Sequence, residues 1–154
     1  MGIKKAIFPG SFDPFTKGHE EVVRKALQVV DEVIIAIGSN SGKTKRLFDI
    51  ERSKKHIQSL FLNQPVQIMP FEGLLTDFCQ AQHGSFIVRG LRDTKDFEFE
   101  KALATMNHDL AGIETLFLLT GKSYAAINAS MVREIYLNGG DLNLFVTNAH
   151  ELIT

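Results

Sequence analysis

Short apolar runs alternate along the chain with longer segments whose apolar residues recur every three or four positions. "KAIF" precedes "EEVVRKALQVV", "VIIAIG" precedes a polar loop and "DIERSKKHIQSLF", and "VQIMP" precedes "LLTDFCQAQH". "SFIVRG" then leads to "FEFEKALATMNHDLAG", and "TLFLLT" to "SMVREIYLNGG". Parallel strands need a crossover, and helices between strands supply it. The pattern predicts an α/β fold: a five-stranded parallel sheet with helices on both faces.

Within the first helical segment, Val22, Val23, Ala26, Leu27, Val29 and Val30 form the apolar stripe a helix lays on a sheet, which leaves Glu20, Glu21, Arg24 and Lys25 for water. The closing "GDLNLFVTNAHELIT" follows a glycine pair that stops a helix and reads as a mixed tail with no chemistry of its own. No repeat, low-complexity tract or linker interrupts the pattern, so the expectation is one domain over residues 1–154.

Composition narrows the class only a little. Hydrophobic residues at 44% and charged residues at 23% are ordinary for a folded globular chain. A net charge of -1 argues against a protein that works by neutralising nucleic-acid phosphates. The single cysteine, Cys79, excludes an internal disulfide and reads as a small buried hydrophobe among "LLTDFCQAQ". Lys4 and Lys5 precede only "AIF" before Pro9, far short of a signal peptide, and no segment approaches membrane-spanning length, so a cytoplasmic protein is expected.

Local chemistry says more. "PGSFDPFTKGH", Pro9 to His19, follows the first strand, where α/β sheets bind ligands beyond the carboxyl ends of their strands. Gly10 permits close backbone approach, Asp13-Pro14 fixes a turn, and His19 falls in the opening turn of a helix whose N-H groups and dipole favour phosphate. Taken alone, His19 also fits a surface histidine at an ordinary turn. "GSNSGKT", Gly38 to Thr44, imitates a P-loop but has three residues between its glycines where four are needed. What remains is a cation-rich stretch, Lys43, Lys45, Arg46, Arg52, Lys54 and Lys55, suited to a polyphosphate or to a solvated face. In "VRGLRDTKDFEFE", Arg89 and Arg92 can fork onto phosphate, or pair with Asp93, Asp96, Glu98 and Glu100.

Thr16-Lys17-Gly18-His19 resembles the T/H-x-G-H signature of the nucleotidyltransferase superfamily. Together with "VRGLRDTKDFEFE", "LATMN" and "SMVRE", nearly the whole chain resembles the phosphopantetheine adenylyltransferases, Rossmann-like enzymes that usually form hexamers. The resemblance implies transfer of an adenylyl group from ATP to 4'-phosphopantetheine, giving dephospho-coenzyme A and pyrophosphate. Mg²⁺ would be carried mainly by the ATP phosphates without a protein cage, and coenzyme A is an implied inhibitor. By match to the motifs, His19 donates to the α-phosphate, Lys43 bridges the reacting phosphates and Arg92 holds phosphate charge. Ser11, Phe12, Arg89, Gly90, Glu100, Tyr124 and Ser130 complete the ATP site. Leu74, Leu75, Met106 and Asn107, with Ser11, Lys43 and Arg89, receive the second substrate.

Ile127-Asn128-Ala129-Ser130 departs from the family's Ile-Ser-Ser-Ser and lacks two hydroxyls, although backbone N-H groups at that helix start can keep a phosphate contact. The loop around Lys43 lacks the usual proline. Two other readings remain open at this point: another nucleotidyltransferase, with nicotinamide mononucleotide or a small alcohol phosphate as acceptor, and a catalytically silent nucleotide-binding module.

Overall fold

The computed structural model describes residues 2–39 and 45–154. Strands β1 (Lys5–Gly10), β2 (Glu32–Gly38), β3 (Val66–Phe71), β4 (Phe86–Leu91) and β5 (Glu114–Leu119) form one sheet in the order β3-β2-β1-β4-β5. Every pairing is parallel. Helices α1 (Lys17–Ala26), α2 (Ile50–Leu60), α3 (Leu75–Ala81) and α4 (Thr94–Ala111) supply the crossovers, and α5 (Ala129–Leu137), a 3-10 turn (Leu142–Leu144) and α6 (His150–Ile153) follow.

The sheet buries both faces, as a parallel sheet must. Val22, Val23 and Ala26 of α1 and Ile57 and Leu60 of α2 pack with Phe8, Ile35 and Val88 on one side. Ile7, Ile34 and Ile87 pack with Cys79 and Ile113 on the other. Cys79 is 1% exposed, and burial raises its thiol pKa to about 11, so the thiol is inert at neutral pH.

A third cluster was not legible as core in the sequence. Leu142, Val146, Ala149 and Leu152, from the segment read as an uninformative tail, close over Phe48 and Val132. Burial of side chains this size stabilises by about 1.5–3 kcal/mol each, enough to hold a segment with one short helix.

The first helix also differs from its stripe. It begins at Lys17, because Thr16 caps it, and ends at Ala26, where Gln28 N-H donates to Lys25 O and Val29 N-H to Ala26 O in tighter turns. Val30 therefore turns inward while Val29 is 56% exposed. Glu20 and Glu21 do not simply face water. The Glu20 carboxylate accepts from the Thr147 hydroxyl at 2.8 Å, and the Glu21 carboxylate from Gly121 N-H at 2.9 Å. The later segments of the chain cover the polar face of α1, which no periodicity within α1 could reveal.

Candidate active site

Strands β1 and β4 pair only at Ala6↔Phe86 and Ile7↔Ile87, whereas β1 stays in register with β2 through Gly10↔Ile37. The sheet thus opens between β1 and β4 beyond Ile7, at the point where strand order reverses and open α/β sheets bind ligands. Pro9 sits at this opening, and its carbonyl accepts from Arg89 Nη1 at 2.7 Å. Gly10 is required by contact: a Cβ there would lie 2.8 Å from the Phe12 ring. Phe12 itself adopts φ 47, which turns its ring into the core and presents its backbone to the opening.

Helix α1 starts under this loop. Thr16 and His19 form a reciprocal cap: Thr16 Oγ1 accepts from His19 N-H at 3.4 Å, and Thr16 N-H donates to His19 Nδ1 at 3.0 Å. A backbone N-H can only donate, so Nδ1 is an acceptor and the imidazole proton resides on Nε2. The ring is wedged among Phe8, Phe12 and Phe15, edge-on to Phe12 at 5.0 Å between centroids. Burial, with the charges of Arg89 and Arg92 close by, holds its pKa down to about 4. His19 is therefore a neutral donor of fixed tautomer. Lys17 N-H, the first of the helix, donates to Phe145 O at 2.8 Å, while among the described residues Gly18 N-H has no partner and borders the cavity.

Two cavities meet at the opening. One, of about 380 Å³, is bordered by the loop after β1, His19, Arg92, Tyr124, Ser130 and Arg133. The other, of about 640 Å³, runs between Phe71, Leu75 and Ile87 on one side and Phe99, Leu103, Ala104 and Asn107 of α4 on the other. Pro9, Gly10, Ser11, Arg89 and Glu100 border both. The partition is an ion pair: Arg89 Nε and Nη2 fork onto the two Glu100 oxygens at 2.8 and 2.7 Å, with Glu100 buried. Gly90 lets the β4 backbone lie against α1, since a Cβ there would lie 2.6 Å from Val22.

The rim of the first cavity is tied into the fold. Arg92 pairs with Asp96 through Nε at 3.0 Å and reaches Ile127 O with Nη1. Arg133, a residue the sequence reading did not single out beyond quoting "SMVRE", donates to Asp13 O at 2.8 Å and Ser130 Oγ at 3.0 Å. At the departure from the family pattern, Asn128 caps α5: its Oδ1 accepts from Ser130 N-H at 2.8 Å and Met131 N-H at 3.4 Å. Two of the N-H groups at the helix start where a phosphate contact was expected are thus engaged by that side chain.

In the second cavity Asn107 and Leu75 border the space, whereas Leu74 and Met106 do not; they are 57% and 61% exposed. Leu74 immediately precedes α3, and Met106 lies within α4. Phe99, Leu103 and Ala104 went unnoticed because such residues in a helix read as packing. Thr115 also borders this cavity, but its Oγ1 is buried away from solvent without a hydrogen-bond partner among the described residues.

Among the described residues, no cation of this stretch lines either cavity. Arg46 and Arg52 donate to backbone carbonyls, Arg52 to Leu152 O at 3.2 Å, and Lys43 lies outside the described residues. Among the described residues no three His, Cys, Asp or Glu side chains cluster as metal ligands, and both carboxylates at the first cavity, Asp96 and Glu100, are paired with arginine. No described helix is long and apolar enough to cross a membrane.

The cytidylyltransferase-like family profile matches residues 7–135. The phosphopantetheine adenylyltransferase of Flavobacterium psychrophilum is 47% identical over 96% of this chain and 97% of its own, and that of Bacteroides thetaiotaomicron 42% over 97% and 99%. Among solved structures, a bifunctional NMN adenylyltransferase/ADP ribose pyrophosphatase from Francisella tularensis, complexed with AMP and a Mn ion, superposes with a TM-score of 0.70 at 22% identity, over 94% of this chain and 44% of that one. Plasmodium falciparum nicotinic acid mononucleotide adenylyltransferase, complexed with NaAD, gives 0.67 at 15% identity over 99% and 95%. The structures share the fold; the sequence relatives match over nearly the full length. With relatives this similar from end to end, the chain belongs to the phosphopantetheine adenylyltransferase family of nucleotidyltransferases.

Proposed function

We propose that the first cavity holds ATP, that the second holds 4'-phosphopantetheine, and that their phosphates react where the cavities meet beside Ser11. The chain is an adenylyl-transferring enzyme of coenzyme A biosynthesis. The observation that supports this two-site reading is the shared border of Pro9, Gly10, Ser11, Arg89 and Glu100.

A phosphomonoester has a second pKa near 6, so the acceptor arrives largely as a dianion and needs little help from a base. One of its oxygens attacks the α-phosphorus in line; that bond forms as the bridge to the β-phosphate breaks, and pyrophosphate leaves with the electron pair. The protein's task is to hold two anions together and to stabilise charge on the α-phosphate. His19 Nε2-H donates there, its direction set by Thr16, and Gly18 N-H adds a backbone donor. Arg92 and Arg133 face the polyphosphate, Ser11 lies between the substrates, and Tyr124, Gly90 and Ser130 border the nucleoside side, with Phe12 contributing backbone. Lys43 bridges the two phosphates in this reading. Glu100 and Arg89 separate the ribose from the pantetheine arm.

The second cavity suits a slim chain with two amides, having apolar walls and Asn107 as a polar point. Mg²⁺ would supply charge neutralisation on the polyphosphate; with Asp96 and Glu100 paired to arginines, no protein carboxylate is assigned to it. Coenzyme A, which carries both halves of the product, is expected to compete across both cavities. The exposed α4 residues Phe99, Met106 and Leu110 agree with a homohexamer, and the lack of a membrane-crossing helix among the described residues with a cytoplasmic location.

The test is product formation, followed by chromatography, from ATP, Mg²⁺ and 4'-phosphopantetheine, with nicotinamide mononucleotide and glycerol phosphate as parallel acceptors. Dephospho-coenzyme A from the first acceptor alone is expected. Product from another acceptor overturns the substrate, and no product with retained ATP binding points to a silent module.

A further inference from the structure

Arg46 lines neither cavity, yet it is bound to the loop that joins them. Its Nη1 donates to Ser11 O at 2.6 Å and its Nη2 to Phe12 O at 3.4 Å and Ser53 Oγ at 3.2 Å, while Nε donates to Phe48 O at 2.9 Å. The same loop is gripped a second time by Asp13, whose carboxylate accepts from Leu47 N-H and Phe48 N-H, each at 2.9 Å. One guanidinium fork therefore spans consecutive carbonyls of the loop after β1.

A trans peptide points its N-H opposite its C=O. With the Ser11 carbonyl drawn to Arg46, on the side away from the cavities, the Phe12 N-H is turned toward the space that Ser11 and Phe12 border. Among the described residues that N-H has no partner. The positive φ of Phe12 places the neighbouring amides as a concave donor set, the arrangement that binds anions in tight turns. A lysine in this position would carry the same charge without the planar fork needed to hold two carbonyls at once.

We propose that Arg46 is a positioning residue for the adenylyl transfer, fixing the Ser11–Phe12 peptide so that its N-H meets phosphate at the junction of the cavities. This rests on the function proposed above. Arg46 acts from behind the loop, so its removal should affect the anion more than the pantetheine arm.

The experiment compares the full chain with Arg46→Lys and Arg46→Ala by steady-state turnover, by calorimetric titration with pyrophosphate, and by thermal unfolding. Both variants are expected to lose at least about tenfold in kcat and about tenfold in pyrophosphate affinity, with the KM for 4'-phosphopantetheine moving less than about threefold. Millimolar guanidinium is expected to restore part of the Arg46→Ala turnover, and methylammonium none. Arg46→Lys keeping the wild-type kcat and pyrophosphate affinity overturns the proposal, since charge alone would suffice. Loss of the folded state in both variants overturns it as well, reducing Arg46 to a structural tie. Should the unaltered chain make no dephospho-coenzyme A, the proposed function falls, and the pyrophosphate titration still decides the role of Arg46.

Discussion

The two cavities are built by opposite means. The first is rimmed by side chains held in position by the protein: His19 by Thr16, Arg92 by Asp96, Arg133 by Asp13 and Ser130. The second is walled by Phe71, Leu75, Phe99 and Leu103, with few polar points. The difference teaches where precision is located. A polar group must be aimed before its ligand arrives, because reorientation during the reaction raises the barrier. Apolar walls need only shape, so in the proposed function one or two side chains suffice to steer the amides of a slim arm.

Four measurements would break or sharpen that contrast. His19→Ala should lower kcat by about 10²- to 10⁴-fold, read by pyrophosphate release, while the protein keeps its fold and binds ATP. Near-normal turnover would deny the first cavity its aimed donor. Arg89→Met should leave the buried Glu100 carboxylate without a partner and destabilise the chain by about 3 kcal/mol or more in denaturant titration, with both substrates bound less well. An effect on one substrate only would mean that the ion pair is not a shared partition.

The third concerns pH in the ligand-free protein. Unfolded, the His19 imidazole takes up a proton near 6.5; folded, it does so only near 4. Acidification through that window protonates the unfolded chain first, so stability falls as pH drops from 6.5 towards 4 and is unaffected above it, by about 3 kcal/mol in all. His19→Asn should flatten this slope in unfolding experiments, leaving the part due to His56, which burial also lowers. The smallest effect is expected at the second cavity. Asn107→Leu should raise the KM for 4'-phosphopantetheine by about fivefold, equivalent to about 1 kcal/mol, with the KM for ATP unchanged. No change there would mean that shape alone, without Asn107, holds the arm in the second cavity.

The same contrast explains what the sequence disclosed. All five strands and the α/β class were readable from apolar runs, since a parallel sheet buried on both faces leaves little ambiguity. The loop from Pro9 to His19 was readable because turns, caps and donors require particular residue types at fixed spacing. Arg133, Phe99, Leu103 and Ala104 were not, because an arginine on a helix or a leucine facing a cavity has the same local pattern as one facing water or core. The tie between Arg46 and Ser11 spans 35 residues and leaves no trace in periodicity. Nor does the burial of Leu142, Val146 and Leu152, which depends on Phe48 and Val132 being brought beneath them.

The contacts between α1 and the segment that covers it also set an order of events during synthesis. Lys17 meets Asn143 O through its ammonium group across 126 residues, its N-H meets Phe145 O, and Glu20 meets Thr147 across 127. A nascent chain on the ribosome can pair β1 with β2 early, but the outer side of α1 stays open to water until residue 147 has emerged. Products of interrupted translation would thus carry an unfinished first turn at His19, exposed to proteases before they could compete for ATP.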